Sequence, residues 1–259
     1  MNVEAAAQLL RLARARGDLV QDLPEDCRPR RLEEAYPIQD AIVAAEPAAL
    51  AGWKVGATSR EIQRLFGIDE PVYGPVFRDG VVDSPAVLDA SRFRHRLVES
   101  ELAFRFVHDL PPRARAWTRE EVVAAVGSVA PAFELIEPRY PAFRTDDIPQ
   151  LTADWCGNGG AVLGAAVTDW QRLDLPGLPV ALRFDGELRQ RGTGALVLGD
   201  PVAVLVWLAN ALQRRGQGIA RGQIVLTGTM TGLHALPAGA EAVATFDGMG
   251  DVAVRFDTP

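Results

Sequence analysis

The chain has 259 residues, 48% of them hydrophobic and 24% charged, which is the composition of a globular protein. Its net charge of −7 argues against a nucleic-acid-binding protein, and its two cysteines, Cys27 and Cys156, are too few for a disulfide framework or a zinc cluster. The charged N-terminus has no apolar signal-peptide core and no run of 18 apolar residues is present, so the sequence predicts a cytoplasmic protein.

The first part of the chain is predicted to be helical. Apolar residues at helical spacing predict a helix over 3–16, which Gly17 ends. A second helix is predicted over 31–46, with Pro37 near a kink or near the helix start. Residues 1–50 are therefore interpreted as an N-terminal helical segment.

The remainder, 51–259, is predicted to be a β-rich domain with few helices. One helix is predicted over 118–126, which begins with a Thr-x-x-Glu capping pattern, and one over 200–216, which begins with Asp-Pro. Apolar segments broken by Gly, Pro and Asp predict short strands: "GWKVGATS", "RLVESELAFRF", "APAFELIE", "GAVLGAAV", "LPVALRFDGEL", "QIVLTGTMTG" and "EAVATFDGMGDVAVRFD".

The segment "RLVESELAFRF" carries two acids inside an apolar strand. Because side chains alternate along a strand, Glu99 and Glu101 share one face, about 7 Å apart. Like charges at this separation repel, and more strongly where the face is covered. The opposite face is apolar and contains Val98, Leu102, Phe104 and Phe106.

A third acid lies in "APAFELIEPRY", where Glu134 and Glu137 point to opposite faces of a strand. Three carboxylates that converge would suit a hard divalent cation such as magnesium or manganese, which prefers oxygen ligands. A cation would also offset their repulsion. The alternative is a strand face whose glutamates simply point to water.

Two further segments are candidates for substrate chemistry. Lys54 lies in an apolar run without an acidic neighbour, as an acid/base group or an anion-binding group would; a lysine whose ammonium extends to the surface is the alternative. The segment "VLTGTMTG" ends in a turn whose N–H groups and threonine hydroxyls could bind a carboxylate, or it is an ordinary tight turn.

Together these segments resemble a known family. From about residue 35 to the end, the chain resembles the 2-oxopent-4-enoate (2-hydroxypenta-2,4-dienoate) hydratases and 4-oxalocrotonate decarboxylases of the fumarylacetoacetate hydrolase superfamily. The resemblance implies an α+β fold, with a mixed β-roll or β-sandwich body and N-terminal helices. The segments that carry it are "GWKVGATS", "EPVYGP", "VESELAF", "PAFELIE", "ADWCGNGGAVLG", "GTGALVLGDPVAVLVWLANAL" and "GQIVLTGTMTG".

The resemblance implies a metal site. Magnesium or manganese would be held by Glu99 and Glu101 of the E-x-E pair and by the acid of the "P-A-x-E" segment. That position is Glu134 and not Glu137.

Other residues take roles from the same resemblance. Lys54 matches the active-site lysine, and Asp154 matches the acid that opens the "A-D-x-x" loop, so both are predicted as catalytic. Gly228 and Thr229 match the turn that contacts the substrate carboxylate.

The implied enzyme is a metal-dependent hydro-lyase that adds water to 2-hydroxy-2,4-dienoates (2-oxo-4-enoates) to give 4-hydroxy-2-oxo acids. It would form homo-oligomers, or a complex with a related decarboxylase, and act in aromatic compound catabolism. Two positions depart from the hydratase pattern: Val72 replaces an acid, and residues 155–158 replace a serine-containing stretch. They favour the first alternative, a C–C bond-cleaving decarboxylase or acylpyruvate-type hydrolase, or a different substrate. A non-catalytic partner subunit is a further alternative, against which the intact Glu99, Glu101, Glu134 and Lys54 argue.

Six further residues are candidates for the site or for structural roles. His234 follows the Thr/Gly turn and either reaches the site or lies in a loop, and Cys156 is interpreted as a buried thiol. Four arginines either meet a second substrate carboxylate or lie at the surface: Arg139, Arg144, Arg189 and Arg191.

Overall fold

A computed structural model describes residues 1–45, 49–143 and 146–257 of the chain. Its α-helices are α1 (Val3–Arg16), α2 (Leu32–Ala45), α3 (Arg60–Phe66), α4 (Arg119–Ala125), α5 (Ile148–Ala153) and α6 (Pro201–Arg214). Its strands are β1 (Leu50–Gly56), β2 (Val72–Phe77), β3 (Val81–Asp83), β4 (Ala86–Leu88), β5 (Leu97–Phe106), β6 (Val126–Ile136), β7 (Asn158–Leu163), β8 (Pro179–Phe184), β9 (Glu187–Thr193), β10 (Ile224–Leu226), β11 (Leu233–Ala235), β12 (Glu241–Phe246) and β13 (Gly250–Phe256).

The predicted helices are present, and their capping residues explain their limits. Gly17 ends α1 in the left-handed conformation at φ +69°, and its N–H bonds back to the last turn. Thr118 begins α4 with both hydrogen bonds of a capping box, and Asp200 caps α6 through the N–H of Val202. Pro37 lies in the interior of α2 and not at its start. The predicted end of this helix at residue 46 lies outside the described residues.

The described strands form two mixed sheets. In the larger sheet the order is β2-β1-β10-β5-β6-β7-β3, and β11 extends β5 along the β10 side. In the smaller sheet the order is β4-β13-β12-β8-β9. Most neighbours are antiparallel, and β1–β10, β3–β7 and β4–β13 are parallel pairs. The α+β class with a β-sandwich body is therefore confirmed.

The larger sheet has two different faces, as the alternation in β5 predicts. One face packs against the smaller sheet and α6, and it supplies large apolar side chains such as Val98, Leu102, Phe104 and Phe133 to the main core. The other face is lined by small apolar residues such as Ala103, Ala132 and Ala161. The candidate functional residues emerge from this second face.

Helix α6 is the most apolar segment of the chain. The stretch Gly194–Arg214, which contains it, is long and apolar enough by composition to cross a membrane, although half of its apolar 18-residue window is buried inside the protein. Its residues Val204, Leu205 and Leu208 belong to the main core. Packing against the sheets therefore accounts for its hydrophobicity.

The N-terminal helices α1 and α2 form a separate apolar cluster with the body of the protein. Leu10 of α1 and Ile38 of α2 pack with Phe77, Tyr140 and Ala153. These helices therefore share an apolar cluster with later parts of the chain. The division of the chain into 1–50 and 51–259 stays a prediction.

Two short helices were absent from the sequence interpretation. Helix α3 begins at the cap Ser59 and ends at Gly67 in the left-handed conformation, and α5 begins at the cap Asp147 followed by a proline. Each has seven residues or fewer, which is too short for a helical repeat of apolar residues to be recognised.

Candidate metal centre

Three glutamates converge on the second face of the larger sheet. Strands β5 and β6 pair so that Glu99 lies opposite Glu134, and Glu101 follows two residues later on the same face. One carboxylate oxygen from each glutamate lies within 4.8 Å of the other two. The alternating pattern and the strand register together bring these acids into one cluster.

This carboxylate cluster is shielded from solvent. Glu101 and Glu134 have no exposed surface, and Glu99 is half-buried, so the water-facing alternative is wrong for the first two. Burial, followed by the charge of Glu134, raises the pKa of Glu99 to about 7. The same two causes, together with Glu99, hold the pKa of Glu101 well above its usual value.

The hydrogen bonds of the cluster leave two oxygens unused. The backbone N–H of Gly228 donates to Oε2 of Glu101 at 2.9 Å, and the Asn158 amide donates to Oε1 of Glu134 at 2.9 Å. Oε1 of Glu101 and Oε2 of Glu134 are buried and have no hydrogen-bond partner among the described residues. Two unpartnered anionic oxygens beside a third carboxylate fit a divalent cation, which would satisfy both atoms and offset the repulsion.

Lys54 lies at the edge of the carboxylate cluster and is 3% exposed. Its Nζ is 3.2 Å from Oε1 of Glu134, so the surface-lysine alternative is wrong. Burial acts to lower the pKa of Lys54, but Cys156 and the three glutamates outweigh burial and raise it. The side chain is therefore a protonated ammonium.

The Thr/Gly turn after β10 borders the same cluster. Gly228 has φ +101°, and a Cβ at this position would lie 2.2 Å from Oγ1 of Thr58, so only glycine fits. Thr229 is half-buried, and its hydroxyl donates to the carbonyl of Gly232 at 3.0 Å. The hydroxyls of Thr227 and Thr231 are engaged with β5, at Leu102 O and at the Ser100 hydroxyl.

Asp154 is buried outside the carboxylate cluster. Its Oδ1 pairs with the Arg14 guanidinium at 3.0 Å, and its Oδ2 accepts the Arg139 N–H at 2.6 Å. Burial raises the pKa of Asp154, although both arginines act to lower it. Oδ1 thus joins the segment that precedes β7 to α1, and Oδ2 joins it to the segment that follows β6.

The segment after Asp154 has an unusual backbone. Trp155, Cys156 and Gly157 all adopt the left-handed conformation, with φ of 56°, 55° and 74°. For the two non-glycine residues this conformation costs about 1–3 kcal/mol each, so surrounding contacts must hold it. The Trp155 ring contacts the Phe77 ring and Arg14, whose guanidinium carbon is 3.9 Å from the centre of the Trp155 ring.

Cys156 is a buried thiol close to Lys54. Burial raises its pKa to about 11, although Lys54 acts to lower it, so the group is protonated at neutral pH. Around the position of a Cβ on Gly56, Nζ of Lys54, Sγ of Cys156 and a methyl group of Val72 lie at 3.5, 3.6 and 3.7 Å. The two positions that depart from the hydratase pattern therefore meet beside the lysine.

The structure also locates His234 and the candidate arginines. His234 pairs with Val98 in β11, and its ring packs at 6.2 Å from the Phe184 ring, on the core side of the sheet. Arg139 is buried and pairs with Glu137. Arg189 and Arg191 are exposed, whereas Arg144 lies outside the described residues.

Two residues that support the site, Asn158 and Arg14, were not predicted from the sequence. Asn158, which donates to Glu134, was recognised only as a departure from the family pattern. No local sequence pattern predicts the role of Arg14, because its partner Asp154 is 140 residues away in the chain. A bulge that offsets Asn158 in the register of β6 and β7 directs this amide toward the cluster, and no sequence pattern reveals such a bulge.

Comparison with known proteins gives consistent matches. Residues 80–257 match the family described as fumarylacetoacetate (FAA) hydrolase C-terminal. The chain is 29% identical to 2-keto-4-pentenoate hydratase 1 of Dechloromonas aromatica, over 99% of this chain and 97% of that protein. It is 30% identical to a 4-oxalocrotonate decarboxylase of Pseudomonas putida, over 98% of this chain and 96% of that protein.

Solved structures agree with these matches. The 4-oxalocrotonate decarboxylase from Pseudomonas putida G7, complexed with magnesium and adipate, has a TM-score of 0.90 and 27% identity, over 98% of this chain and 97% of that chain. Fumarylpyruvate hydrolase from Pseudomonas aeruginosa, in complex with Mn²⁺ and pyruvate, has a TM-score of 0.61 and 19% identity, over 80% of this chain and 89% of that chain. The second likeness shows a shared fold.

Proposed function

Because the chain belongs to the fumarylacetoacetate hydrolase family, we propose that it is a divalent-metal-dependent hydro-lyase. The proposed reaction adds water to 2-hydroxy-2,4-dienoates (2-oxo-4-enoates) and gives 4-hydroxy-2-oxo acids. The observation that carries this proposal is the group of three converging glutamates with two buried, unpartnered oxygens. The relatives named as 2-keto-4-pentenoate hydratases support the choice of reaction.

We assign metal binding to Glu99, Glu101 and Glu134. The proposed ion is magnesium or manganese, and related structures that contain magnesium, calcium or manganese support a divalent cation. When bound, the ion supplies Lewis-acid stabilisation of negative charge on the 2-oxo oxygen of the substrate.

Proton transfer and binding of the substrate carboxylate are assigned to residues of the chain. Ketonisation moves the proton of the C2 hydroxyl to C5, and water then adds its hydroxyl to C4 and a proton to C3. Lys54, a buried ammonium beside Glu134, is assigned to proton transfer. Gly228 orients Glu101 through its N–H, and the turn at Thr229 is assigned to the substrate carboxylate.

Asp154 receives a positioning role. It has no hydrogen bond to the glutamates among the described contacts, and Arg14 and the Arg139 N–H occupy its oxygens. Its effect on the reaction would act through the left-handed segment that follows it, which carries Cys156 next to Lys54. Asp154 is therefore proposed to hold the segment 155–157 in position beside Lys54.

Decarboxylation is the second candidate reaction. Val72 and the segment 155–157 supply no acid and no serine near Lys54, and the chain is as similar to decarboxylases as to hydratases. A non-catalytic partner subunit is disfavoured, because a scaffold has no use for repelling buried carboxylates. We further propose a cytoplasmic homo-oligomer, alone or with a related decarboxylase, that acts in aromatic compound catabolism.

An ultraviolet assay tests the proposed reaction. The protein is mixed with 2-hydroxypenta-2,4-dienoate in magnesium or in chelator, and loss of the dienol absorbance and formation of 4-hydroxy-2-oxopentanoate are measured. Wild type should be active in magnesium alone, Glu101→Ala should be inactive, and the exposed control Glu187→Ala should match wild type. Magnesium binding without hydration would refute the hydratase proposal and direct the assay to 4-oxalocrotonate and acylpyruvates.

A further inference from the structure

A cavity of about 600 Å³ lies between the end of α1, the segment 91–94 and the segment 155–160. This volume is typical of small-molecule binding sites. Asn158 forms part of its wall, and the Asn158 amide donates to Glu134 of the carboxylate cluster. Lys54 and the three glutamates are not among the described residues that line it. Six arginines do line it, and we call it the arginine cavity: Arg11, Arg14, Arg16, Arg92, Arg94 and Arg139.

The arginine cavity is positively charged, although the chain has a net charge of −7. Asp79 and Glu137 are the acids among the described residues that line it, and Glu137 is already paired with Arg139. Arg14 is paired with Asp154, which lies outside the cavity wall. The remaining arginines therefore outnumber the remaining acid. Such a concentration of cations in an acidic protein attracts anions.

Three arginines of the cavity have no carboxylate partner in the described part of the chain. Arg16 and Arg92 are exposed, and neither forms an ion pair with a described acid. The Arg94 guanidinium donates to a backbone carbonyl, that of Gly17, at 3.2 and 3.3 Å. A carbonyl has no net charge, so this contact leaves the positive charge of Arg94 in place. An anion held among the three guanidinium groups would offset their mutual repulsion.

Two buried N–H groups of the cavity wall also lack an acceptor. Nε of Arg139 and Nε1 of Trp155 have no hydrogen-bond partner among the described residues. Arg139 is only 2% exposed, so bulk water has little access to it. A buried donor without a partner is unfavourable and uncommon, which points to an acceptor that completes the site. Oxygen atoms of a ligand in the cavity would provide that acceptor.

The unpaired groups define the chemistry of the ligand. A guanidinium binds carboxylate and phosphate oxygens through two parallel N–H···O bonds. A single carboxylate would neutralise only one of the unpaired arginines. A phosphate ester carries about two negative charges at neutral pH, and a polycarboxylate carries at least as many. The arginine cavity therefore fits an anion with more than one negative charge.

We propose that the arginine cavity is a binding site for a small multivalent oxyanion, either a phosphate ester or a polycarboxylate, separate from the metal centre. The inference goes beyond the proposed function, because Lys54 and the glutamates lie outside the cavity wall. A bound anion would join α1 to the segment that carries Trp155 and Asn158. It would therefore stabilise the folded protein in the absence of magnesium.

Calorimetry in EDTA tests this site, because no divalent ion is then present to hold an anion at the glutamates. Pyrophosphate and tricarballylate are the probes for phosphate and polycarboxylate chemistry, and acetate is the probe with a single charge. An ionic strength of about 0.15 M suppresses long-range attraction between exposed charges. We expect at least one multivalent probe to raise the Tm and to bind with a Kd below about 1 mM, about tenfold or more tighter than acetate. The tighter probe assigns the class of the ligand.

Variants locate the bound anion. Arg92→Gln and Arg94→Gln each remove an unpaired cation from the cavity and should weaken binding of the tighter probe by about tenfold or more. Arg191→Gln removes the same charge from an exposed position of β9 outside the cavity, and should change the Kd by less than about twofold. Glu101→Gln alters the carboxylate cluster and should not weaken binding.

Three results would overturn the proposal. In the first, neither multivalent probe binds in EDTA, even if binding appears in magnesium, since the anion then depends on the metal centre. In the second, Arg92→Gln and Arg94→Gln bind the probe as tightly as wild type. In the third, Arg191→Gln or Glu101→Gln weakens binding as much as the two cavity variants do. The dienol assay tests the proposed function separately, so failure of one proposal leaves the other standing.

Discussion

Replacing Glu101 by glutamine should stabilise the metal-free protein while removing its response to magnesium. Glutamine has the shape of glutamate, and its amide oxygen can still accept the Gly228 N–H. The substitution removes one of three negative charges that lie within 4.8 Å of one another. Loss of a buried carboxylate is normally harmful, so a gain in stability would be a specific sign of stored repulsion.

The size of the gain follows from Coulomb's law. Two unit charges 4.8 Å apart repel by about 3.5 kcal/mol at an effective dielectric constant of about 20. At pH 8 part of this repulsion is already relieved in wild type, because burial and Glu134 raise the pKa of Glu101 well above its usual value. We expect a net gain in the free energy of unfolding of about 1–3 kcal/mol, with a Tm increase of about 2–4 °C per kcal/mol.

Thermal and denaturant unfolding in EDTA at pH 8 measure this gain, and repetition in magnesium measures metal binding. Magnesium at 100 times its Kd should stabilise wild type by about 2.7 kcal/mol and leave Glu101→Gln almost unchanged. Glu137→Gln is the matched control, since Glu137 is also buried but accepts the N–H groups of Arg94 and His95 and pairs with Arg139. It should be destabilised by about 3–5 kcal/mol.

The two glutamates should therefore respond with opposite signs. If Glu101→Gln is less stable than wild type in EDTA, or still gains stability from magnesium, then the repulsion or the metal site has been wrongly assigned.

Three further substitutions or conditions have defined outcomes. In metal-free wild type, the free energy of unfolding should rise by up to about 3 kcal/mol as the pH falls from 8 to 4.5. Burial and Glu134 raise the folded-state pKa of Glu99 from 4.5 to about 7, so ionised Glu99 destabilises the folded state fully above pH 7 and not at all below pH 4.5. A free energy of unfolding that stays constant over this pH range in EDTA would contradict this. Lys54→Met should lower kcat at least about 100-fold and keep the magnesium-induced Tm shift, whereas loss of that shift would mean that Lys54 mainly organises Glu134. Arg14→Ala should destabilise the protein by about 3–5 kcal/mol, because it leaves Asp154 buried without its guanidinium; adding Asp154→Asn should recover part of this loss, and additive losses in the double variant would refute the pairing.

The sequence was sufficient to predict the central strand and its two faces. Strand alternation has a period of two and depends only on local spacing, so the order of residues alone places Glu99 and Glu101 on the same face. Helix limits were predictable for the same reason, because caps such as Thr118 and Asp200 act within one turn.

Contacts between distant segments were beyond this reasoning. The approach of Lys54 to Glu134 depends on two intervening strands, β10 and β5, whose register no local pattern specifies. The hydrogen bond from Asn158 requires a bulge, and the pairing of Arg14 with Asp154 spans 140 residues. The resemblance named Lys54 as a candidate, and its contact with Glu134 became visible only in three dimensions.

The link between Arg14 and Asp154 limits how this protein can be divided or recombined. The region that matches the family begins at residue 80, yet the helix that anchors the left-handed segment and the strand that carries Lys54 both precede it. A fragment that begins at residue 80 would contain all three glutamates but would lack Lys54 and Arg14. A fragment that retains the complete site must therefore include α1. A chimera that exchanges the N-terminal helices must also exchange Asp154 and its loop.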